Sequence, residues 1–168
     1  MATIESLVEA CHAGDHRLVA RILRKKCNLV NEADGNGFAP LYVACQNNHV
    51  ASALLLLDKG ASINLAEKIG GATPLWIAST KGHEPVVRLL LDRGAAIEHA
   101  NNDGCTSLYV ASLNGHEPVV RLLLDRGAAI EHAMNDGATS LCTASFNGHE
   151  PVVRLLLERG AAIDHVKN

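Results

Sequence analysis

Histidines have the clearest capacity for metal chemistry in this sequence, and they recur at a fixed spacing. One column contains His83, His116 and His149, and a second contains His99, His132 and His165. A zinc ion needs each imidazole nitrogen at about 2.0–2.1 Å, whereas equivalent positions on stacked helices lie about 8–10 Å apart. Neighbouring members of a column are therefore too far apart to share an ion. We predict structural hydrogen bonds at helix starts and loop bases, with no metal and no cofactor.

Nucleophilic catalysis has no better support. The five cysteines have no paired spacing and no C-x-x-C motif: Cys11, Cys27, Cys45, Cys105 and Cys142. Such cysteines are expected to be free thiols in a reducing compartment, the cytoplasm or nucleus. The sequence contains no phosphate-binding loop, nucleophile elbow, His-Glu-x-x-His motif or dinucleotide fingerprint. We predict that the protein is not an enzyme.

Charge and hydropathy restrict the possible partners. The formal net charge is −3, whereas nucleic-acid-binding proteins show a clustered basic surface. No segment reaches the roughly 18 apolar residues of a membrane span, and the N-terminus does not resemble a signal peptide. We expect a soluble protein that binds neither nucleic acid nor membrane.

The elements that position these residues repeat along the chain. GHEPVVRLLLDRGAAIEHA occupies residues 82–100 and returns unchanged at 115–133, and a third copy at 148–166 differs at three positions. A period of this size indicates a stacked array of small helical units. We predict one domain over 1–168, with repeats at approximately 4–33, 34–66, 67–100, 101–133 and 134–166.

Each repeat contains signals for two short helices. Thr73 is a predicted N-cap and Pro74 a first helical residue. Gly82 ends this helix, Pro85 opens the second helix and Gly94 ends it. Helices this short are unstable alone in water and need their neighbours.

The second helix is apolar on most sides. Glu84, Arg88 and Asp92 form its single polar stripe, which is typical of a helix packed between two neighbouring repeats. We predict that Arg88 and Asp92 form an exposed ion pair four residues apart.

The two ends differ from the interior. The first repeat has a basic second helix with Arg17, Arg21, Arg24, Lys25 and Lys26. This helix is either a polar cap that keeps the array soluble or a small basic binding patch. The last repeat keeps its apolar set without a polar cap. It is either cut from a longer array or covered by another molecule.

A known family shares these motifs. Gly71-x-Thr73-Pro74-Leu75-x-x-Ala78, followed by Gly82-His83, Val86-Val87, Leu90-Leu91 and Gly94-Ala95, resembles the ankyrin repeat. The match recurs at 104–128 and 137–161, and more loosely at 37–61 and 4–31. The resemblance implies an all-α ankyrin-repeat solenoid of stacked helix-turn-helix units with β-hairpin-like fingers. It also implies an L-shaped, gently curved array that binds other proteins through its finger tips and the concave face of its first helices.

The sequence departs from the family pattern at two places in the first helix. The family's usual histidine after Thr-Pro-Leu is replaced by Tyr42, Trp76, Tyr109 and Cys142. Ser107 and Ser140 replace proline, which should loosen those helix starts slightly.

The copies disagree along one side of the first helix. Cys105, Tyr109, Val110 and Leu113 become Ala138, Cys142, Thr143 and Phe146 in the next repeat. Earlier repeats carry Ala72, Trp76, Ile77 and Thr80, and before them Phe38, Tyr42, Val43 and Gln46. The spacing i, i+4, i+5, i+8 places each set on one helix side. This variation encodes a recognition surface, or it is drift and repacking around the missing histidine.

The predicted partner-binding residues lie on the first helices and the fingers. The helix residues are Phe38, Tyr42, Gln46, Ala72, Trp76, Thr80, Lys81, Cys105, Tyr109, Leu113, Asn114, Phe146 and Asn147. The finger residues are Asn36, Ile69, Asn102, Asp103, Asn135 and Asp136. Phe38, Trp76, Leu113 and Phe146 are the expected anchors because large apolar groups dominate interface energetics. Ile69 is either an exposed contact or tucked under a distorted finger.

The predicted function is a scaffold, adaptor or inhibitor that binds a partner protein. The alternative is a self-assembling array, or part of a longer ankyrin protein, that stacks end to end through its C-terminal repeat.

Overall fold

The computed structural model describes residues 3–163, and their regular structure is helical. The α-helices are α1 Ile4–His12, α2 His16–Lys25, α3 Pro40–Gln46, α4 Val50–Asp58, α5 Pro74–Thr80, α6 Glu84–Asp92, α7 Ser107–Leu113, α8 Glu117–Asp125, α9 Ser140–Phe146 and α10 Glu150–Glu158. A 3₁₀ helix spans Cys27–Asn31. Residues 3–163 contain no regular strand, only the isolated bridge between Ala133 and Thr139. The predicted all-α class is confirmed. None of the described helices is long and apolar enough to cross a membrane.

Consecutive helices pair into five units that stack in chain order. The first helices α1, α3, α5, α7 and α9 contact one another in sequence and form one row, while α2, α4, α6, α8 and α10 form the second. One leucine at the same position of each first helix is buried in a core shared with the second helices: Leu7, Leu41, Leu75, Leu108 and Leu141. A continuous apolar core thus runs through all five units.

Hydroxyl caps fix where the first helices begin. The Thr73 side chain accepts a hydrogen bond from the Trp76 backbone at 3.2 Å, which satisfies one of the free N–H groups of a helix start. Thr106 caps α7 in the same way at 3.3 Å. The start of α7 therefore has the same cap as that of α5, although Ser107 replaces proline there.

The second helices are buried on the sides that face neighbouring units. Val86, Val87 and Leu90 of α6 have no exposed surface. The predicted basic set is exposed on α2 and at the residue that follows it: Arg17, Arg21, Arg24, Lys25 and Lys26. Both a polar cap and a basic binding patch require this exposure.

The predicted Arg88–Asp92 ion pair is wrong. Arg88 pairs instead with Glu84, one turn earlier on α6, at 2.5 Å. Asp92 lies at the end of α6, beside the end of α8, and pairs with Arg126 of the next unit at 2.8 Å. The same bridge joins Asp58 to Arg93 at 3.0 Å and Asp125 to Arg159 at 2.8 Å. These pairs are exposed, so each contributes only about 0–1 kcal/mol.

Histidines at the starts of the second helices connect consecutive units. Nε2 of His116 lies 2.9 Å from the Thr80 carbonyl oxygen, at the end of the preceding first helix. Nε2 must carry the proton in this bond because a carbonyl oxygen only accepts. His49, His83 and His149 make the same contact, with the carbonyls of His12, Gln46 and Leu113 at 3.0, 3.0 and 2.9 Å. The predicted hydrogen bonding at helix starts is confirmed.

The second column is less uniform. His132 donates to the Gly104 carbonyl at a finger base at 3.2 Å. His165 lies outside the described residues.

Candidate partner-binding surface

The variable positions of the first helices form one continuous strip, here called the first-helix stripe. It comprises Phe38, Tyr42, Val43 and Gln46; Ala72, Trp76, Ile77 and Thr80; Cys105, Tyr109, Val110 and Leu113; and Ala138, Cys142, Thr143 and Phe146. The stripe is continuous because α3, α5, α7 and α9 stand side by side in one row.

Part of the stripe is buried between units. Tyr42, Ala72, Cys105 and Tyr109 are only 5–8% exposed. Cys105, Tyr109 and Val110 form a small apolar cluster against which Trp76, Met134 and Ala138 pack. These aromatic side chains therefore fill the junction with the following unit.

Val43, Ile77, Val110 and Thr143 are also buried, while other members of the stripe are open to solvent to different degrees. Phe146 is 91% exposed and Leu113 is 36% exposed. Trp76 and Phe38 are half-buried. The Phe38 ring stacks on Tyr42 of its own unit, with centroids 5.1 Å apart and planes 15° apart. The four predicted anchors are thus more accessible than Tyr42, Ala72, Cys105 and Tyr109.

The polar candidates surround the helix ends. The Asn114 and Asn147 carboxamides donate to the Val110 and Thr143 carbonyls at 2.7 and 2.8 Å. The Thr80 hydroxyl donates to the Trp76 carbonyl at 2.9 Å. Lys81 is exposed and Gln46 is half-buried. The two asparagines cap the last turn of their helices, and their amide oxygens remain as acceptors.

The fingers have the shape of tight hairpins without regular strands. A backbone hydrogen bond closes three of them across four residues: Asp34 to Phe38, Asn101 to Cys105 and Met134 to Ala138, at 3.0, 3.0 and 2.9 Å. The remaining finger contains the inserted residue and closes across five, from Glu67 to Ala72, at 2.9 Å.

Two of the predicted contact residues hold adjacent fingers together. The Asn102 carboxamide donates to the Ile69 carbonyl at 2.9 Å, and that of Asn135 donates to the Asn102 carbonyl at 3.1 Å. A Cβ at Gly71 would lie 2.6 Å from the Asn102 side chain, so glycine is required for this close approach. Both asparagines are exposed, but the amide nitrogen of each already donates a hydrogen bond to the preceding finger.

The remaining finger candidates point to solvent or close their own turn. Asn36, Asp103 and Asp136 are exposed. Asn36 donates its backbone N–H to Asp34 at 3.0 Å, and Asp136 accepts from the Ala138 backbone at 2.9 Å. Unlike that of Asp136, the Asp103 carboxylate does not close its own turn.

Glu67 organises the longer finger, which the sequence analysis did not identify. Its carboxylate accepts from the backbone N–H groups of Ile69, Gly70 and Ala72 at 2.7, 2.5 and 3.2 Å. Burial opposes ionisation of Glu67, but these N–H groups and that of Gly71 outweigh it and lower the pKa. The finger so held presents Ile69 with 80% of its surface exposed. Ile69 is thus an exposed residue, and the tucked alternative is wrong.

A second feature missed from the sequence is a cleft of about 580 Å³ beside α1 and α3. Its apolar floor contains Val8, Phe38 and Val43, and acidic groups surround it. Aligning the repeats could have revealed the cleft, because the small residue Val8 stands where the next unit carries the large residue Tyr42.

Buried groups on the first helices do not supply a nucleophile. Burial raises the pKa of the Cys11 thiol to about 12. Burial, together with the nearby Glu67 carboxylate, raises the pKa of Tyr42 to about 12. Both groups stay protonated at neutral pH. Within residues 3–163, no group of three or more His, Cys, Asp or Glu side chains is arranged to hold a metal ion.

Comparison with known proteins gives one result for the whole chain. The family model described as ankyrin repeats (3 copies) matches residues 5–67, 63–134 and 99–167. A search of curated proteins finds no match.

Proposed function

This chain belongs to the ankyrin-repeat family, whose members are generally protein–protein interaction modules, and we propose that it binds a partner protein through its first-helix stripe and finger tips. In this role it would serve as a scaffold, adaptor or inhibitor in the cytoplasm or nucleus, where free cysteines persist. The partner would contact the exposed anchors directly. The buried members of the stripe would act by setting the shape of the surface beneath it.

The observation that carries this proposal is the contrast between the two helix rows. In the last three units the second helix is copied almost without change, most of its valines and leucines are buried or half-buried in the stack, and its mid-helix arginines pair within their own helix. The first-helix stripe changes at every unit and leaves Leu113 and Phe146 accessible, while Ile69 is exposed on the adjacent fingers. Interface hot spots are typically large groups of this kind, surrounded by polar contacts.

The test is affinity capture from lysate followed by mass spectrometry. We expect replacement of Trp76, Leu113 and Phe146 together by alanine to abolish capture of specific partners. The matched control replaces Arg88, Arg121 and Arg154 by alanine. These residues lie on the second helices, and their ion pairs are with a glutamate of the same helix. Circular dichroism and thermal unfolding must show that both variants remain folded. Equal capture by the wild type and both variants would contradict the proposal.

Self-association through the C-terminal unit is the second candidate. Phe146, Leu157 and Ile163 are 91%, 41% and 78% exposed. Val153 is half-buried, whereas its counterparts Val87 and Val120 are covered completely. Within residues 3–163, this unit therefore exposes apolar side chains, and one valine is less covered than its counterparts in the two preceding units.

The N-terminal unit is an imperfect complement to that surface. It carries Asp15 where the other units carry the histidine that reaches back to a carbonyl, and Arg24 where they carry the bridging aspartate. If two copies stacked head to tail, the junction between them would lack the histidine–carbonyl hydrogen bond, because Asp15 replaces the histidine. We expect light scattering to show weak, concentration-dependent growth that Phe146→Ser abolishes. A strictly monomeric particle at millimolar concentration would rule out this candidate.

A further inference from the structure

The first junction between units lacks a side chain that the next three possess. Val8 stands at the position held by Tyr42, Trp76 and Tyr109 in the following first helices. Tyr42 and Tyr109 are 6% and 8% exposed, and Trp76 packs against the cluster around Cys105 in the next unit. An aromatic ring thus fills each of these junctions. Valine is too small to do so, and the cleft of about 580 Å³ lies beside it.

The neighbouring large side chain does not close this cleft. Phe38 is bulkier than Ala72 and Cys105, its counterparts in the next two units. However, its ring stacks on Tyr42 of its own unit, 5.1 Å away, and it lines the cleft without filling it. Val8, Phe38 and Val43 therefore present an apolar floor that is already assembled.

The first helix contributes acidic side chains to this cleft. Glu5 and Glu9 line it from α1, and their counterparts are Ala39 and Val43 in the second unit and Thr73 and Ile77 in the third. Neither carboxylate has an ion-pair partner among residues 3–163.

The remaining charged and titratable groups at the rim are already engaged. Asp34 accepts from the backbone N–H groups of Asn36 and Phe38 at 3.0 and 2.9 Å. The His12 ring lies 3.3 Å from the Asn47 carboxamide nitrogen. That nitrogen is a donor, so Nδ1 of His12 is the acceptor. Glu5 and Glu9 therefore face the cleft without an ion-pair partner among residues 3–163, and Asp34 adds a third negative charge whose oxygen is already hydrogen-bonded.

We propose that this cleft docks a partner segment that presents an aromatic side chain beside a lysine or arginine. The ring takes the space that tyrosine or tryptophan occupies in the other junctions, over Val8, Phe38 and Val43. The cation lies against Glu5 and Glu9, which complement it in charge. This inference rests on the proposed function, since the segment belongs to the protein partner, and it specifies where and by what chemistry that partner is held.

The test follows backbone amide shifts by NMR while a short peptide is added to the full chain. The probe is the acetylated pentapeptide amide Gly-Arg-Trp-Arg-Gly. Matched peptides replace both arginines by glutamate, or the tryptophan by alanine. We expect the probe to shift the amides of Val8, Phe38 and Val43, and each control peptide to shift them far less at the same concentration. Equal shifts from the three peptides, or none from the probe at millimolar concentration, would overturn the inference.

Two sets of variants check the two halves of the site. Val8→Tyr supplies the missing ring, so it should preserve thermal stability and abolish the peptide shifts. Leu54→Tyr on the outer helix α4 is the matched control and should bind normally. Glu5→Gln and Glu9→Gln leave the fold intact and should each weaken binding by about twofold to fivefold, the range of exposed ion pairs. Unchanged affinity in Val8→Tyr, or in both glutamine variants, would contradict the assignment.

The outcome separates this inference from the proposed function. Lysate capture that depends on Trp76, Leu113 and Phe146 but survives Val8→Tyr, with no peptide shifts at the cleft, would refute the cleft alone. Shifts of the cleft amides on raising the protein concentration without peptide would assign the cleft to a second copy, which also overturns the inference.

Discussion

Replacing Gly82 by alanine probes the contact that locks one unit onto the next. Gly82 follows α5 with a φ of +71°, and a Cβ there would lie 2.6 Å from Nδ1 of His116. The same ring donates through Nε2 to the Thr80 carbonyl at 2.9 Å. The ring must shift to make room for a new methyl group, which strains that hydrogen bond.

Two terms set the magnitude. Alanine in the left-handed region costs about 1–2 kcal/mol, and a weakened hydrogen bond of this kind costs about 0.5–1.5 kcal/mol. The expected loss of unfolding free energy is therefore about 1.5–3.5 kcal/mol. Asn48 occupies the equivalent place opposite His83 with a φ of 59°, and the bond to the Gln46 carbonyl there remains 3.0 Å. A Cβ can thus be accommodated by small shifts, which favours the lower half of the range.

The C-terminal unit contains a matched control. Gly148 has the same φ of +71°, but no described atom lies within 4 Å of its Cβ position. Gly148→Ala should therefore show the backbone strain alone. Urea unfolding of both variants should give Gly82→Ala the larger loss, by about 0.5–1.5 kcal/mol. This difference should vanish when His116→Ala is present in the background. Equal losses in the two single variants would refute the proposed lock.

Two further predictions concern titratable side chains. The pKa of Glu67 is lowered in the folded chain, so its contribution to stability is present above the unfolded pKa and is lost as the pH falls. Glu67→Gln should lower the free energy of unfolding by about 1–2 kcal/mol at neutral pH. It should also reduce the loss of stability on acidification, measured by urea unfolding at several pH values. An unchanged pH dependence below neutral pH would contradict this role of Glu67. Burial raises the pKa values of Cys11 and Cys45, whereas Cys27 and Cys142 are exposed. A thiol reagent followed by mass spectrometry should therefore label the exposed pair first, and rapid labelling of Cys11 in the folded chain would contradict the described packing.

Local signals in the sequence were sufficient to predict the helices and their order. Thr73 before Pro74 specifies a capped helix start because both residues act on the first turn itself. Gly82 specifies its end because the required left-handed conformation belongs to that residue alone. The same short-range signals recur once per repeat, so each repetition strengthens the same prediction.

Contacts between side chains on different helices could not be predicted from these signals. Asp92 has an arginine one turn away on its own helix and another on the next unit, and the spacing alone favours Arg88. The relative placement of α6 and α8 decides for Arg126. The exposure of residues in the first-helix stripe could not be predicted for the same reason. Whether such a side chain is covered depends on the size of the group that the next unit places against it.

The amino-acid sequence by itself determined the repeat, the helix pairs, the family and the row of positions where the copies differ. These properties depend on periodicity and on residues within a few positions of one another. Only the tertiary structure decided which of those positions are accessible. It buried Tyr42 and Tyr109, exposed Ile69 and Phe146, and opened the cleft beside Val8. Exposure depends on what the adjacent unit places against a side chain, about 33 residues away in the chain and in contact only after the units stack.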